Sequence, residues 1–234
     1  MRQEVRSSLN ENFNSIVKRV YLDPLFISQS LSFVKVETKN IRLECGDFSG
    51  ASTQRFPIQF ESQNLGFVEA LDFESKTTKK ALQNLSQTLG ALENGEELGL
   101  SAKSKILTSF EAWVKERPDF NWIGIYRRDP IKPQELIVSA FIGEPTPHIR
   151  IPLDRGICGA AIYEGRSLNI PNVKSDARYL SCSLKTKSEL VVPIFNQLNE
   201  AVAEIDIDCA SANGFDALTQ QEFESLAKEF SVFF

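Results

Sequence analysis

The chain has little of what would make its purpose plain. In 234 residues it carries one histidine, one methionine, two tryptophans and four cysteines. The cysteines, at 45, 158, 182 and 209, are too few and too scattered for a disulfide framework. Cys158, Cys182 and Cys209 with His148 make a Cys3His set in name, but no two sit at the close spacing of a zinc site, so no metal or other cofactor is expected. Basic residues are not in excess. A net charge of −5 gives no footprint for nucleic acid or an anionic membrane surface. No apolar run approaches the length of a membrane span, and the opening residues MRQEVRSSLNENF show no leader-like apolar stretch. There is no phosphate-cradling glycine loop and no parallel strand–helix–strand series. A cytoplasmic protein with reduced thiols is the expectation.

What is present is a core. Apolar residues make up 42 % of the chain, with phenylalanine used 17 times. Ile16, Val17, Val20 and Leu22 suggest a first helix, with a break at Asp23-Pro24. The stretch LSFVKVETKNIRLECG alternates apolar and polar residues and reads as strand. GDFSGAST reads as loop. RFPIQFESQNLGFVEALDF reads as two strands turning at Gln63-Asn64. Leu82, Leu85, Leu89 and Leu92 set a helix over Thr77–Glu93, stopped by Gly95. A second helix, capped at Ser101 or Ser104, runs to about Glu116.

From Asn121 strands dominate: NWIGIYRRD, ELIVSAFIG, SLNIPNV, and a hairpin of SELVVPIF with AVAEIDIDCA. RGICGAAIYEG reads as a turn into a short helix. Asp216 or Thr219 opens the last helix. The expected fold is α+β: an antiparallel sheet with helices packed on one face over 98–234, preceded by an α/β extension over 1–97. Pro57-Ile58 precedes Asp72 by the 15 positions that separate Pro193-Ile194 from Asp208, a faint echo that would make the extension a shortened half of the second domain. Any two hairpin-plus-helix units share such spacing.

The chemistry concentrates in 143–208. Asp206 and Asp208, two residues apart on a strand, point to one face. Glu189 starts the neighbouring strand. Carboxylates held together repel unless a cation or a proton sits among them, and a ligand ammonium would serve. The bland alternative is a solvated sheet face. Cys158 follows a glycine turn at a helix start beside Arg155, and Cys182 lies among Arg178, Lys185 and Lys187. Both settings favour thiolate. Trp122 and Tyr126 share a strand face and form a candidate pocket wall, or core. His148, in a proline-bearing loop, is a candidate acid–base or ligand group, or a plain surface histidine.

Taken together, Asn121-Trp122-Ile123-Gly124-Ile125-Tyr126, Arg155-Gly156-Ile157-Cys158-Gly159, Cys182 followed by Ser188-Glu189-Leu190-Val191-Val192-Pro193, and Asp206-Ile207-Asp208 resemble the GAF-domain family, and within it the free methionine-R-sulfoxide reductases. The resemblance covers 98–234. It implies that Cys182 attacks the sulfur of a free methionine sulfoxide, that Cys158 is the second family cysteine, and that thioredoxin restores the thiols. It places Trp122, Glu189, Asp206 and Asp208 at substrate-binding positions. One departure stands out: His148 falls where the family carries the usual resolving cysteine. Cys158 is the substitute, with Cys209 ranked lower because strand alternation turns it from the pocket. Three functions follow as alternatives: a small-molecule pocket for an amino-acid-like ligand with degenerate chemistry, a working reductase using Cys182 and Cys158, or a sensory module whose N-terminal extension mediates homodimerisation.

Overall fold

The computed structural model describes residues 13–22, 31, 33–46, 53–60, 63–71, 75–93 and 98–234. The expected break at Asp23-Pro24, the loop at 47–52, Asp72 and the stop at Gly95 lie outside the described residues. The chain divides into two compact units, Met1–Lys105 and Ile106–Phe234. No helix among the described residues is long and apolar enough to cross a membrane.

The first unit holds a four-stranded antiparallel sheet in the order β2-β1-β4-β3, with β1 at Phe33–Thr38, β2 at Arg42–Gly46, β3 at Thr53–Phe60 and β4 at Gln63–Leu71. The alternating stretch 31–46 is therefore a hairpin. Thr38 makes the corner, its hydroxyl accepting from the backbone N–H of Asn40 and Ile41. Gln63 and Asn64 belong to β4 and pair with Phe60 and Gln59, so they are strand residues and not the turn their composition suggests. Helix α1, Lys76–Glu93, packs on β3 and β4 with Leu82, Leu85, Leu89 and Leu92 buried. The 3.6-residue period of those leucines is the whole reason for its orientation.

Helix α2, Leu100–Glu116, starts before Ser101, so neither Ser101 nor Ser104 caps it. The second unit is built on a six-stranded antiparallel sheet in the order β7-β6-β5-β10-β9-β8. Its strands are β5 at Phe120–Arg128, β6 at Glu135–Gly143, β7 at Arg150–Pro152, β8 at Leu168–Ile170, β9 at Ser188–Phe195 and β10 at Ala201–Cys209. Helix α3, Gly156–Glu164, packs on β9 and β10, and helix α4, Ala217–Phe230, packs chiefly on β9. Asp216 caps α4 by accepting from the Thr219 N–H at 2.8 Å.

One face of this sheet is apolar. Ile205, Ile207, Leu190 and Val192 are buried there, beneath the aromatic seam of α2 and α4. Trp113 stacks on Phe223 at 4.5 Å between centroids, and Phe120 on Phe215 at 5.2 Å. A bulge at Asn121, opposite the Asp208–Cys209 step, returns Phe120 to this face. Phe223 is fully buried in this seam, so Phe223→Ala is expected to cost about 3–5 kcal/mol of stability. Urea unfolding of the full chain measures it, and a loss under about 1 kcal/mol would show that the seam is not the helix anchor.

Candidate functional site

The opposite face carries acids. Strand alternation turns Glu204, Asp206 and Asp208 of β10 to the same side. In register, Asp208 lies between Trp122 of β5 and Glu189 of β9, Asp206 between Gly124 and Val191, and Glu204 between Tyr126 and Pro193. All four carboxyl groups are buried, Glu204 completely. Neither carboxylate oxygen of Glu204, nor Oδ1 of Asp206, has a hydrogen-bond partner. Burying acids without compensation is costly, so the groups shift toward the neutral form. Burial, then the charge of Asp206, holds both Glu189 and Glu204 well above the ordinary carboxyl range. Burial and Asp208 do the same to Asp206. Asp208 is pushed by burial to about 7, moderated by a hydrogen bond from Thr186.

Helix α3 closes this face. Gly156 at φ +75°, a backbone region that suits glycine, turns the chain into the helix. The turn directs Cys158 inward, where its thiol donates to Asp206 Oδ2 at 3.6 Å. The expected thiolate is overturned here. Burial and then the charges of Asp206, Glu204 and Glu189 push the Cys158 thiol well above its usual value. The same correction applies to Cys182, raised by burial and by Asp206, Asp208 and Glu189. Its basic neighbours in sequence are engaged elsewhere: Arg178 with Asp176 and Glu164, Lys185 with Glu144. Both cysteines are free thiols, close enough that charge on Cys182 contributes to the shift at Cys158.

A small cleft, open at its mouth, is lined by Trp122, Cys182 and Asp208 with Asn121, Glu144, Thr146 and Lys185. Trp122 forms one wall. Its indole Nε1 donates to the Glu144 carbonyl at 3.1 Å, and its ring stacks on Phe141 at 5.4 Å. A Cβ on Gly124 would meet that ring at 2.2 Å, so glycine lets the indole lie across β5.

The remaining candidates have other places. Tyr126 is fully buried, stands 5.9 Å from Trp122 between ring centroids, and donates its hydroxyl to the His148 carbonyl at 2.8 Å. It ties the 144–149 loop to the sheet and does not line the cavity. His148 is likewise outside the lining, its Nε2 3.1 Å from the Ser181 carbonyl, next to Cys182. Cys209 lies on the aromatic face, with its thiol 3.2 Å from Asp119 Oδ2. The Cys3His set is therefore not assembled. Glu204, Asn121 and Thr186 were not singled out from the sequence. For Glu204 the signal was there, since it continues the i, i+2 row of Asp206 and Asp208.

A sheet with one aromatic-packed face and one ligand-facing, helix-covered face defines a GAF-type domain. The chain belongs to the GAF-fold family of free methionine-R-sulfoxide reductases. It is 34 % identical over 162 residues to free methionine-R-sulfoxide reductase of Saccharomyces cerevisiae, a match covering 68 % of this chain and 88 % of the relative. It is 29 % identical over 160 residues to GAF domain-containing protein A of Dictyostelium discoideum, covering 68 % and 96 %. Among solved structures, type II free methionine-R-sulfoxide reductase from Thermoplasma acidophilum is similar with a TM-score of 0.54 at 31 % identity, over 57 % of this chain and 92 % of that one. The Neisseria meningitidis enzyme in complex with its substrate is similar at 0.51 and 27 % identity, over 70 % and 95 %. No family model matches the chain.

The carboxyl row gives the protein a pH dependence of definite sign. A carboxyl whose folded pKa is raised contributes stability that is complete below the unfolded value, about 4, and is lost as pH rises through the folded one. For Asp208 that loss runs up to about 7. Free of ligand, the protein is expected to melt lower as pH rises over this window, and Glu204→Gln is expected to shallow the decline. Thermal unfolding across the window checks both, and a variant that declines as steeply as the parent contradicts the repulsion.

Proposed function

We propose that the cavity binds free methionine sulfoxide and that the protein reduces it with Cys182 and Cys158. The observation that carries the reading is the meeting of Trp122, Cys182 and Asp208 on one cavity, with Cys158 and Glu189 behind it. The Trp122 face receives the thioether chain, and the acids receive the ammonium of a free amino acid. A peptide-bound residue lacks that ammonium, so the pocket selects the free form.

The Cys182 sulfur attacks the sulfoxide sulfur and the S–O oxygen is transferred to it. The thioether departs reduced, and Cys182 is left as a sulfenic acid. Asp208, its carboxyl pushed by burial to about 7, supplies the proton that the sulfoxide oxygen needs as its bond breaks. The Cys158 thiol then attacks the sulfenic sulfur, forming a Cys158–Cys182 disulfide and releasing water. A dithiol reductant of the thioredoxin class returns both thiols. With His148 at the loop position, Cys158 is the resolving thiol.

A second reading, binding without turnover, is favoured by one observation. The acids that suit an ammonium also hold both thiols protonated, which slows thiolate attack. Incubation with free methionine-R-sulfoxide, thioredoxin, its reductase and NADPH separates the two. Under the reductase reading NADPH is consumed, Cys182→Ser abolishes consumption, and Cys158→Ser stops after a single turnover. No consumption together with ligand-dependent thermal stabilisation establishes the binding reading. Neither effect would overturn both.

A further inference from the structure

The acids of the cleft read one end of a free amino acid and leave the other unread. A residue inside a peptide lacks the ammonium they suit, but one at the N-terminus of a peptide keeps it. Only a group that reads the α-carboxylate tells the free amino acid from that peptide. Lys185 is the one basic side chain among the described lining residues. Its Nζ stands 2.7 Å from Glu144 Oε1, and the two side chains are 63 % and 69 % exposed. An ion pair in that setting contributes little, so a second carboxylate can displace Glu144 at small cost. The pair also joins the two loops that line the cleft, one following β6 and the other preceding β9. Asn121 supplies an independent observation. Its Nδ2 donates to the Thr186 hydroxyl at 3.4 Å, whereas its Oδ1 is a buried acceptor without a hydrogen bond. An acceptor left open in the lining suits a ligand that brings a donor.

We propose that Lys185 reads the α-carboxylate of the bound amino acid, exchanging Glu144 for it, while Asp208 and Asn121 Oδ1 take the ammonium. The inference rests on the proposed binding of free methionine sulfoxide. In a zwitterion the two charges are joined through a single carbon, so their readers must line one cleft, as Lys185 and Asp208 do. Exchange releases the Glu144 side chain to water and loosens the link between the two loops, which admits ligand to the mouth. With both charges read, the cleft takes a zwitterionic α-amino acid and rejects either end of a peptide. An N-terminal residue fails for its missing carboxylate, and a C-terminal one for its missing ammonium. Lys185 touches ligand but no reacting atom, so it sets affinity and specificity rather than the rate of the sulfur chemistry.

The test is calorimetric titration of the full, reduced chain with free methionine sulfoxide and with its α-carboxamide, which keeps the ammonium and loses the negative charge. A buffer of about pH 6.5 keeps both amines charged. The parent is expected to bind the free amino acid at least about fivefold more tightly than the amide. Lys185→Met is expected to remove that preference by weakening the free amino acid and leaving the amide unchanged, and Lys185→Arg to keep it. Glu144→Gln is expected to tighten the free amino acid about twofold or more, because the competitor for Lys185 is gone. All three changes fall on exposed side chains, and thermal unfolding confirms that each variant is folded. A preference that survives Lys185→Met, or a parent that binds both compounds equally, would overturn the assignment and leave the sulfoxide reading standing. A parent that binds neither would overturn both.

Discussion

Electrostatic repulsion among four buried carboxyl groups is the constraint from which the second unit's behaviour follows. Glu189, Glu204, Asp206 and Asp208 are fixed by two adjacent strands, and Lys185, which lines the cavity with Asp208, is held in an ion pair with Glu144 at 2.7 Å. Two neighbouring residues that supply positive charge in sequence, Arg178 and Lys185, pair at the surface instead. The folded chain must therefore hold protons there or wait for a cation. That single tension makes the thiols hard to ionise and makes an ammonium a welcome guest.

The fold supports this tension by stabilising the sheet from the other side. Trp113, Phe120, Phe215 and Phe223 stack on one another in a continuous aromatic seam on the apolar face. Aromatic burial of this size contributes several kcal/mol, which offsets the cost of leaving acids unpaired on the opposite face. Function and stability are thus divided between the two faces of one sheet. Glycine at 124 and at 156 belongs to the functional side, one making room for the Trp122 indole and the other turning Cys158 inward.

Much of this was readable in the chain, and the failures have physical causes. Strand alternation alone put Asp206 and Asp208 on one side and Cys209 on the other. The leucine period set α1, and the motifs from Asn121 onward gave the GAF resemblance. Glu204 escaped because an acid on a strand is ordinarily a solvent-facing residue. Only the covering helix α3 and the pairing with Tyr126 make it buried. The thiolate expectation failed because nearness in sequence was taken for nearness in space. Cys182 is surrounded by lysines and an arginine along the chain, yet its electrostatic neighbours in the fold are Asp206, Asp208 and Glu189. The hairpin at Thr38 was hidden by a turn built from a threonine hydroxyl rather than from glycine or proline.

The central claim is that uncompensated acids choose the ligand by its positive charge. Calorimetric titration with free methionine sulfoxide and with its N-acetyl derivative tests this most directly, because the two differ at the ammonium and keep the same sulfur chemistry. The account predicts binding of the free amino acid and a loss of at least about thirtyfold on acetylation. Equal affinity for the two would contradict it.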